Sequence, residues 1–450
     1  MTAVSQPLRR TVVPPVVAAR IVLWTVIVVN LIIVETLFFT SSGGKNQILT
    51  VAKFFGLHTS LAMMFQLLLV ARIPWIERRL GMDRLTVWHR WVGLTLFWTV
   101  LTHGTLIVLG YATLDGVSMF KTFGALAGVP ASLLGMCAAA TVLFVATTSI
   151  SYFRRKVLSY EVWHSLHILL YVAIGLALVH QSLEPTSFSE TTAGKIYWWM
   201  LWAAVLTTLL IGRVVLPIWR NIQHRFRVAA VVPESDNVVS VHITGRNLDK
   251  LPARAGQFCV WRFPGHFGLL QANPFSLSSA PNGRSLRLTA KAVGKTSAGL
   301  RHLPVGTRVF IEGPYGAFTA LHQVREASLL IAGGVGITPI RSLLEESVGS
   351  VVVLYRVQNM TDAVLLPELQ ALARDRGARL HVLTGRTGAG DPPNTPFEPA
   401  NLAALVPDIL HRDVFVCGPP AMTNAVLRSL RALNVPRLQV HSERFGFAGG

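Results

Sequence analysis

The first half of the chain alternates long apolar stretches with short polar ones. Six stretches approach the roughly 20 residues that a helix needs to cross a bilayer. They are Ile21–Thr40, Val51–Ala71, Val87–Gly110, Ala131–Ile150, Tyr160–His180 and Ile196–Pro217. After Arg220 the pattern changes to short alternating runs such as "RFRVAAVV" and "VVSVHIT", which indicate antiparallel strands. The pattern predicts an all-α, six-helix membrane bundle followed by an antiparallel β-barrel.

A third pattern begins near Ala327, where apolar strands alternate with glycine turns and helices. "SLLIAGGVGITPIRSLLEE" predicts a strand, a turn and a helix. The same alternation continues in "SVVVLYR", "RLHVLTGR" and "DVFVCGPPAMTNAVLRSLRAL". Because strands that alternate with helices form a mostly parallel sheet, we predict an α/β parallel-sheet domain here. The predicted domains are residues 1–222, 223–322 and 323–450.

Composition and charge agree with a membrane protein that carries a soluble part. Charged residues make up 14% of the chain and hydrophobic residues 51%, whereas ordinary soluble domains have about 25% charged residues. The net charge is +19, but no Lys/Arg-rich block with interleaved aromatic residues is present, so nucleic-acid binding is not expected. Much of the positive charge is explained by membrane topology.

Basic residues beside the spans predict the orientation. Fifteen arginine and lysine residues flank the spans on the side of the N-terminus, and four lie on the other side. Since basic loops stay in the cytoplasm, we expect a multi-pass protein of the cell membrane with both termini cytoplasmic. No short apolar region with a small-residue cleavage site follows the N-terminus, so no cleaved signal peptide is expected.

Cysteine usage excludes some sites. Cys137, Cys259 and Cys417 are too few and too scattered for a disulfide framework or a zinc site. The sequence has no C-x-x-C-H motif, so covalent haem attachment is not expected.

Histidines inside the apolar spans are the first candidate chemistry, because ionisable residues within a membrane are by default functional. His89 and His103 lie fourteen residues apart on the third span, which is about 21 Å along a helix and within about 40° of one face. The fifth span carries His164, His167 and His180. A haem between two facing helices takes one axial imidazole from each, so these spans could hold two b-type haems at two depths.

The spacing on the fifth span is less regular. His167 and His180 are thirteen residues apart, which places their side chains about 140° apart on an ideal helix. Either the helix is distorted, or the two haems approach it from different sides.

The H-x13-H and H-x12-H spacings on a six-helix core resemble the ferric reductase and NADPH oxidase superfamily. The resemblance implies that His89 and His167 bind an inner haem, and that His103 and His180 bind an outer haem. His164 is then outside the ligand set and is expected to pack or to contact a propionate. His58 on the second span is interpreted as structural, with a role near the acceptor as the alternative.

The barrel region carries flavin motifs. "NPFSLSSAP" resembles the R-x-[YF]-[ST] signature of ferredoxin–NADP reductase-like proteins. The resemblance implies an FAD site at Asn273, Pro274, Phe275 and Ser276. Asn273 stands where arginine or histidine is usual, and Arg262 or Lys291 is expected to compensate at the phosphate.

A second motif follows in the barrel. "KAVGKTS" resembles the G-x-x-[ST] element, which implies that Gly294 and Ser297 hold the pyrophosphate.

The C-terminal part carries nicotinamide motifs. "IAGGVGITP" opens a helix after a strand, and the amides at such a helix start favour anions. Together with "VFVCGPPAM" and "SERFGF" it resembles the same reductase superfamily. The implied cofactor contacts are Gly333, Gly334, Gly336, Thr338, Cys417, Gly418 and Pro419. Cys417 is implied to lie by the nicotinamide, Phe445 to cover the flavin ring and Glu443 to lie nearby.

Two arginines predict NADPH rather than NADH. Arg356 and Arg386 each follow a predicted strand, where a guanidinium can bind a 2′-phosphate in a bidentate manner.

The resemblance implies NAD(P)H, FAD and two haems in series, with FAD converting a two-electron hydride into single electrons. Three acceptors remain open: oxygen, giving a superoxide-generating oxidase; a ferric chelate; and a partner protein or quinone. The outer loop "SLEPTSFSETTAGK" is short and has no cluster of metal-binding side chains, which favours a small external acceptor. No long apolar patch is evident on the outer loops, so a protein partner is not specified.

Overall fold

The computed structural model describes residues 15–150, 157–158, 160–184, 187–267, 273–390 and 393–444. These residues form two compact units. The membrane unit comprises residues 20–73 and 84–213. The C-terminal unit comprises residues 74–83 and the chain from 214 onward, together with the start of the first helix.

Helices make up the first half of the chain. They are α1 (Pro15–Thr40), α2 (Gln47–Val70), α3 (Pro74–Leu80), α4 (Met82–Asp115), α5 (Met119–Ala127), α6 (Pro130–Thr148), α7 (Tyr160–Leu183), α8 (Thr192–Leu210) and α9 (Leu216–His224). A single π-helical turn, Ile211–Val215, joins α8 to α9. Six helices in the described residues are long and apolar enough to cross a membrane, with α8 and α9 counted as one span. The six predicted spans and the all-α bundle are confirmed.

A buried aromatic cluster ties α7 to α8. Trp198 and Trp202 are fully buried, and their indole nitrogens donate to Oε1 of Gln181 over 3.2 and 3.3 Å. Phe188 stacks on Trp198 with ring centroids 4.5 Å apart. Because a buried amide or indole without a partner is costly, this network fixes the two helices next to each other.

The short helix α5 corrects one expectation. It connects α4 to α6 and exposes a run of large apolar side chains, with Phe120 92% and Phe123 54% exposed. Met119 and Val117 beside them are also exposed. The expectation that no apolar patch is evident on the outer loops is therefore wrong for residues 117–123, because this segment folds largely into a helix whose large apolar side chains are exposed.

Two three-stranded antiparallel sheets form the predicted β-barrel. Their strands are β1 (Arg227–Ser235), β2 (Val238–Thr244), β3 (Phe258–Arg262), β4 (Asn273–Ser276), β5 (Ser285–Lys291) and β6 (Phe310–Tyr315). The strand orders are β1-β2-β5 and β4-β3-β6. A short helix, α10 (Lys295–Gly299), follows β5. Trp261, Phe263 and Leu288 fill the core between the sheets.

A five-stranded parallel sheet follows, as predicted. Its elements are β7 (Ala327–Gly333), α11 (Ile337–Glu346), β8 (Val351–Arg356), α12 (Leu366–Arg376), β9 (Arg379–Leu383), α13 (Pro399–Leu405), β10 (Arg412–Gly418), α14 (Pro420–Ala432) and β11 (Val440–Arg444). The strand order is β11-β10-β7-β8-β9. Leu330 and Leu329 of β7 enter cores on opposite faces, as expected for a sheet covered by helices on both sides.

Candidate functional site

The inner histidine pair lies between α4 and α7. The ring centroids of His89 and His167 are 6.1 Å apart, and the ring planes make an angle of 63°. Trp163, one turn earlier on α7, packs on His167 with ring centroids 5.2 Å apart. Nδ1 of His89 and Nδ1 of His167 are both buried and have no hydrogen-bond partner among the described residues.

The outer histidine pair uses different neighbours. Nδ1 of His103 donates to the carbonyl oxygen of Ala52 on α2 over 2.8 Å. Nδ1 of His180 donates to the carbonyl oxygen of Ala131 on α6, also over 2.8 Å. A carbonyl can only accept, so Nδ1 carries the proton in both rings and the neutral ring presents the lone pair of Nε2.

These contacts answer the question raised by the thirteen-residue spacing. Helix α7 is an uninterrupted α-helix from Tyr160 to Leu183. His167 faces His89 of α4, whereas His180 bonds to α6. The two rings therefore leave the helix toward different neighbours, and no break in the helix is needed.

The four histidines fit the chemistry of two axially ligated haems. Metal–imidazole bonds of about 2 Å place two ring centroids on one ion about 6 Å apart, which matches the His89–His167 separation. In the outer pair Nδ1 is already hydrogen-bonded, so Nε2 is the ring nitrogen that would bind the iron. Among the described residues no three His, Cys, Asp or Glu side chains gather to hold an ion, and a haem iron requires only two imidazoles.

His58 and His164 have other surroundings. Nε2 of His58 lies 3.0 Å from Oε1 of Glu35 on α1, and Nδ1 lies 2.9 Å from the carbonyl oxygen of Phe54. Because a carbonyl oxygen only accepts, Nδ1 of His58 donates to Phe54, and Nε2 faces the Glu35 carboxyl group. His164 is exposed, with its ring 6.5 Å from that of Trp163.

The predicted FAD residues lie on β4 and after β5. Asn273, Pro274, Phe275 and Ser276 form β4, which pairs with β3. The carbonyl oxygen of Phe275 accepts from Nε1 of Trp261 over 3.0 Å, which fixes the strand at the position of the aromatic ring.

Lys291 is exposed at the end of β5. Gly294 is exposed, and a Cβ there would meet no described atom within 4 Å. The Ser297 hydroxyl is already engaged, because it accepts from the amides of Val293 and Gly294 over 3.0 Å. Of the two residues expected to compensate for Asn273, Arg262 forms an ion pair with Glu312, whereas Lys291 points to solvent.

The glycine turns of β7 and β10 lie next to each other at the carboxyl edge of the sheet. A Cβ on Gly333 would lie 2.6 Å from Sδ of Met422, and a Cβ on Gly336 would overlap the main chain of Cys417. Gly334 has φ of +53°, a conformation that favours glycine. Only glycine permits this close approach, at the strand-order reversal where α/β sheets bind their ligands.

Thr338 and Pro419 complete this edge. Thr338 is buried at the start of α11, and its hydroxyl donates to the carbonyl oxygen of Val335 over 3.1 Å. Gly418 ends β10 and Pro419 precedes α14.

Cys417 and Glu443 are register partners on the parallel strands β10 and β11. Burial raises the pKa of the Cys417 thiol well above its ordinary value, and Glu443 and Asp83 add to that rise. Burial also raises the pKa of Glu443, with further contributions from Asp83 and Glu77. Both groups therefore favour their neutral forms and can act as hydrogen-bond donors. Phe445 lies outside the described residues.

The two arginines predicted at the 2′-phosphate differ in their contacts. Arg356 is buried; its guanidinium donates to the carbonyl oxygen of Thr384 over 2.7 Å and to the Thr387 hydroxyl over 3.4 Å. It thus holds the loop after β9. Arg386 is exposed on that loop. Of the two arginines, it is therefore the one better placed to meet a 2′-phosphate from solvent.

Sequence reasoning missed how helices α3 and α9 contact β6. Glu77 is 1% exposed, and its Oε1 accepts from the amide of Gly316 over 2.7 Å. The side chain of Asn221 exchanges two hydrogen bonds, of 2.7 and 2.9 Å, with the main chain of Ile311. A signal was available, because Glu77 and Asp83 are acidic residues in the arginine-rich segment "RIPWIERRLGMDR".

Three family models match successive parts of the chain. A ferric reductase like transmembrane component matches residues 55–178. An FAD-binding domain matches residues 223–319, and an oxidoreductase NAD-binding domain matches residues 330–428.

Curated relatives match about half of the chain. A flavohemoprotein of Chromobacterium violaceum is 32% identical over 246 residues, 49% of this chain and 60% of that protein. The ferredoxin reductase component of a 3-ketosteroid-9-alpha-monooxygenase of Mycobacterium tuberculosis is 34% identical over 238 residues, 49% of this chain and 64% of that protein. The chain thus spans less than two thirds of the length of these relatives.

A solved structure also aligns with half of the chain. It is the FAD/NAD-binding domain of a nitric oxide dioxygenase from Vibrio cholerae, with 26% identity and a TM-score of 0.42. The alignment covers 50% of this chain and 99% of that domain.

The three domain matches follow one another in the order of the predicted domains and agree with the helical bundle, the antiparallel sheets and the parallel sheet described above. The chain therefore has the domain order of the ferric reductase/NADPH oxidase-type architecture, in which a ferric reductase like transmembrane component is followed by an FAD-binding domain and an oxidoreductase NAD-binding domain.

Proposed function

We propose that this protein transfers electrons from cytoplasmic NADPH through FAD and two b-type haems to a small acceptor on the outer side, with oxygen as the acceptor and superoxide as the product. The observation that carries the proposal is the pair of facing rings of His89 and His167, whose centroids lie 6.1 Å apart. Bound haem would supply one-electron chemistry within the bilayer, where no protein side chain in the spans does so.

The residues of the chain have distinct tasks in this proposal. His89 and His167 bind the inner haem, and His103 and His180 bind the outer haem through Nε2. On the C-terminal unit, the turns at Gly333 and Gly418 present main chain to the nucleotide. Cys417 and Glu443 stay neutral beside the nicotinamide and flavin, because burial and the nearby carboxylates oppose their ionisation.

Oxygen is favoured as the acceptor by the short connections opposite the arginine-rich segments. Only residues 41–46 separate α1 from α2, and residues 184–191 separate α7 from α8, whereas the third connection on that side, residues 116–129, is longer and contains α5. The two short connections offer little material for a deep binding pocket, which favours a diatomic acceptor. A ferric chelate is the second candidate, because the matching transmembrane family model is described as ferric reductase like.

Purified protein in detergent tests the proposal. We expect a pyridine haemochrome assay to give two haems per chain, and NADPH to drive cytochrome c reduction that superoxide dismutase suppresses. Protein without haem would contradict the membrane part of the proposal. Reduction that depends on added ferric chelate and ignores superoxide dismutase would replace oxygen by the second candidate.

A further inference from the structure

The outer histidines share a local arrangement that the ligand pattern does not explain. His103 contacts α2 at "AKFFG" (residues 52–56), and His180 contacts α6 at "ASLLG" (residues 131–135). In each case the first residue supplies the carbonyl oxygen that accepts from Nδ1. The glycine lies four residues later, one helical turn along. In a regular α-helix its amide donates to that same carbonyl oxygen.

Both glycines lie directly against an imidazole. A Cβ on Gly56 would come within 2.9 Å of Cε1 and 3.0 Å of Nδ1 of His103. A Cβ on Gly135 would come within 2.8 Å of Nδ1 and 2.9 Å of Cε1 of His180. Real Cβ atoms essentially never approach another heavy atom this closely, so any larger residue at either position displaces the ring.

The ordinary explanation for small residues in membrane helices is close packing of two backbones. Gly212 is such a case, because the nearest atoms to a Cβ there belong to the main chain of Ala71 and Arg72. At Gly56 and Gly135 the nearest atoms are all imidazole atoms. These two glycines make room for a ligand side chain.

We propose that Gly56 and Gly135 are positioning residues for the outer haem: each glycine opens the carbonyl one turn before it to a ligand imidazole, and the resulting Nδ1 hydrogen bond sets the orientation and donor strength of that ligand. The proposal rests on the proposed function, since it assumes that His103 and His180 bind haem. It concerns the outer pair, because neither Nδ1 of His89 nor Nδ1 of His167 forms such a well-directed bond within the described part of the chain, although the main chain of Gln66 lies near the His89 ring.

The expected effect follows from the hydrogen bond. An imidazole that donates through Nδ1 is a stronger electron donor at Nε2, and such outer partners commonly change metal affinity or activity by 10–100-fold when lost. A stronger donor stabilises ferric iron more than ferrous iron. Loss of the bond should therefore favour reduction of the outer haem about tenfold, which is a rise of about 59 mV for one electron.

The test compares Gly56→Ala and Gly135→Ala with Gly175→Ala in the full-length protein. Gly175 is a matched control, because it lies on α7 between the two ligands and a Cβ there would meet no described atom within 4 Å. Each protein is titrated potentiometrically while the haem absorption bands are followed. The His103→Leu protein, which keeps only the inner haem, identifies which midpoint belongs to which haem.

We expect Gly56→Ala and Gly135→Ala to raise the outer midpoint or to lose the outer haem alone, while the inner midpoint stays that of the wild type and Gly175→Ala changes neither. The electron paramagnetic resonance spectrum of the ferric outer haem should shift as well, since it depends on the relative orientation of the axial rings. Midpoints equal to those of Gly175→Ala, or equal shifts at both haems, would overturn the proposal. Wild-type protein without haem would overturn the proposed function, and this inference with it.

Discussion

In the membrane unit the groups that face the candidate cofactor sites are side chains, whereas in the C-terminal unit most of them are main-chain atoms beside glycines. His89, His103, His167 and His180 each project from a regular helix. The nucleotide edge is built instead from turns at Gly333, Gly336 and Gly418, where a Cβ would overlap a neighbour. The difference has a physical origin, because a helix in lipid must keep its backbone hydrogen bonds internal.

The comparison predicts how each unit tolerates substitution. Where a cofactor depends on one side chain per helix, a single substitution should abolish one electron-transfer step. Where it depends on main-chain amides and several side chains, a single side-chain change should only modulate affinity. The predictions below test this contrast, beginning with the largest effect.

The largest effect is expected at the haem ligands. In His89→Leu, NADPH should reduce the flavin while haem reduction slows by about a hundredfold or more, since a lost ligand costs at least as much as a lost outer partner. In His103→Leu, the inner haem should still be reduced, but the external acceptor should not. Anaerobic stopped-flow mixing with NADPH, read at the flavin and haem bands, measures both.

His164→Leu is the matched control, because His164 lies on α7 one turn from His167 but is exposed. It should behave like the wild type. Haem content must be measured on protein that elutes as a single species, since loss of a ligand can unfold the bundle. Normal haem reduction in His89→Leu would refute both the inner assignment and the contrast between the units.

The next effect is smaller and falls on the nucleotide site. Arg386→Ala should raise the KM for NADPH about tenfold relative to its effect on the KM for NADH, because a hydrogen bond to a charged group contributes roughly 1.5–3 kcal/mol. Steady-state kinetics with both nucleotides measure the ratio. Arg379→Ala at the opposite end of β9 is the control, and equal effects on the two nucleotides would show that Arg386 does not bind the 2′-phosphate.

The sequence predicted the elements of both units because their patterns are strong and local. The length of the apolar stretches identified the six spans. The alternation of strands, glycine turns and helices identified the parallel sheet. The facing of His89 and His167 agrees with the pairing that the family resemblance implied, whereas the fourteen-residue spacing predicted only that His89 and His103 share one face of their helix. The role of each histidine as a ligand remains a prediction.

Other features depend on tertiary neighbours and were beyond the sequence. The direction of His180 toward α6 was left open, because thirteen residues on a helix do not state which neighbouring helix accepts the ring. The burial of Glu77 against Gly316 joins residues 239 positions apart; an acidic residue in an arginine-rich segment marks Glu77 as unusual, but no local pattern identifies its partner. The commitment of Arg356 to the loop after β9 likewise appears only when the strands are assembled.

The smallest predicted effect concerns two partly buried carboxyl groups, Glu35 and Glu443, whose surroundings differ between the two units. In the membrane unit Glu35 has a partner, His58, at 3.0 Å. In the C-terminal unit the pKa of Glu443 is raised by burial and by Asp83 and Glu77, which repel its negative form. One carboxylate is paired, and the other is opposed by its surroundings.

The raised pKa of Glu443 gives a definite pH dependence. The folded state binds the Glu443 proton more tightly than the unfolded state. The stabilisation from this proton is therefore full below the pKa that Glu443 has in the unfolded chain, and it is lost as the pH rises through the raised pKa of the folded state. Glu443→Gln removes this titration. The variant should therefore unfold at a higher temperature than the wild type at pH 8, and the difference should shrink as the pH falls toward 5. A change of about 1 kcal/mol corresponds to about 2–4 °C in a unit of this size.

Glu35→Leu should have the opposite sign, because it leaves Nε2 of His58 without its hydrogen bond, at a cost of about 1 kcal/mol. Thermal unfolding of the full-length protein in detergent between pH 5 and pH 8 measures both variants. The exposed residue Glu326 provides the control, since Glu326→Gln should shift the unfolding temperature little at any pH. If both Glu443→Gln and Glu35→Leu stabilise the protein, the hydrogen bond to His58 does not offset the free-energy cost of burying the Glu35 carboxyl group. The contrast between a paired and an opposed carboxylate would then fail, even if the difference between side-chain and main-chain sites survived.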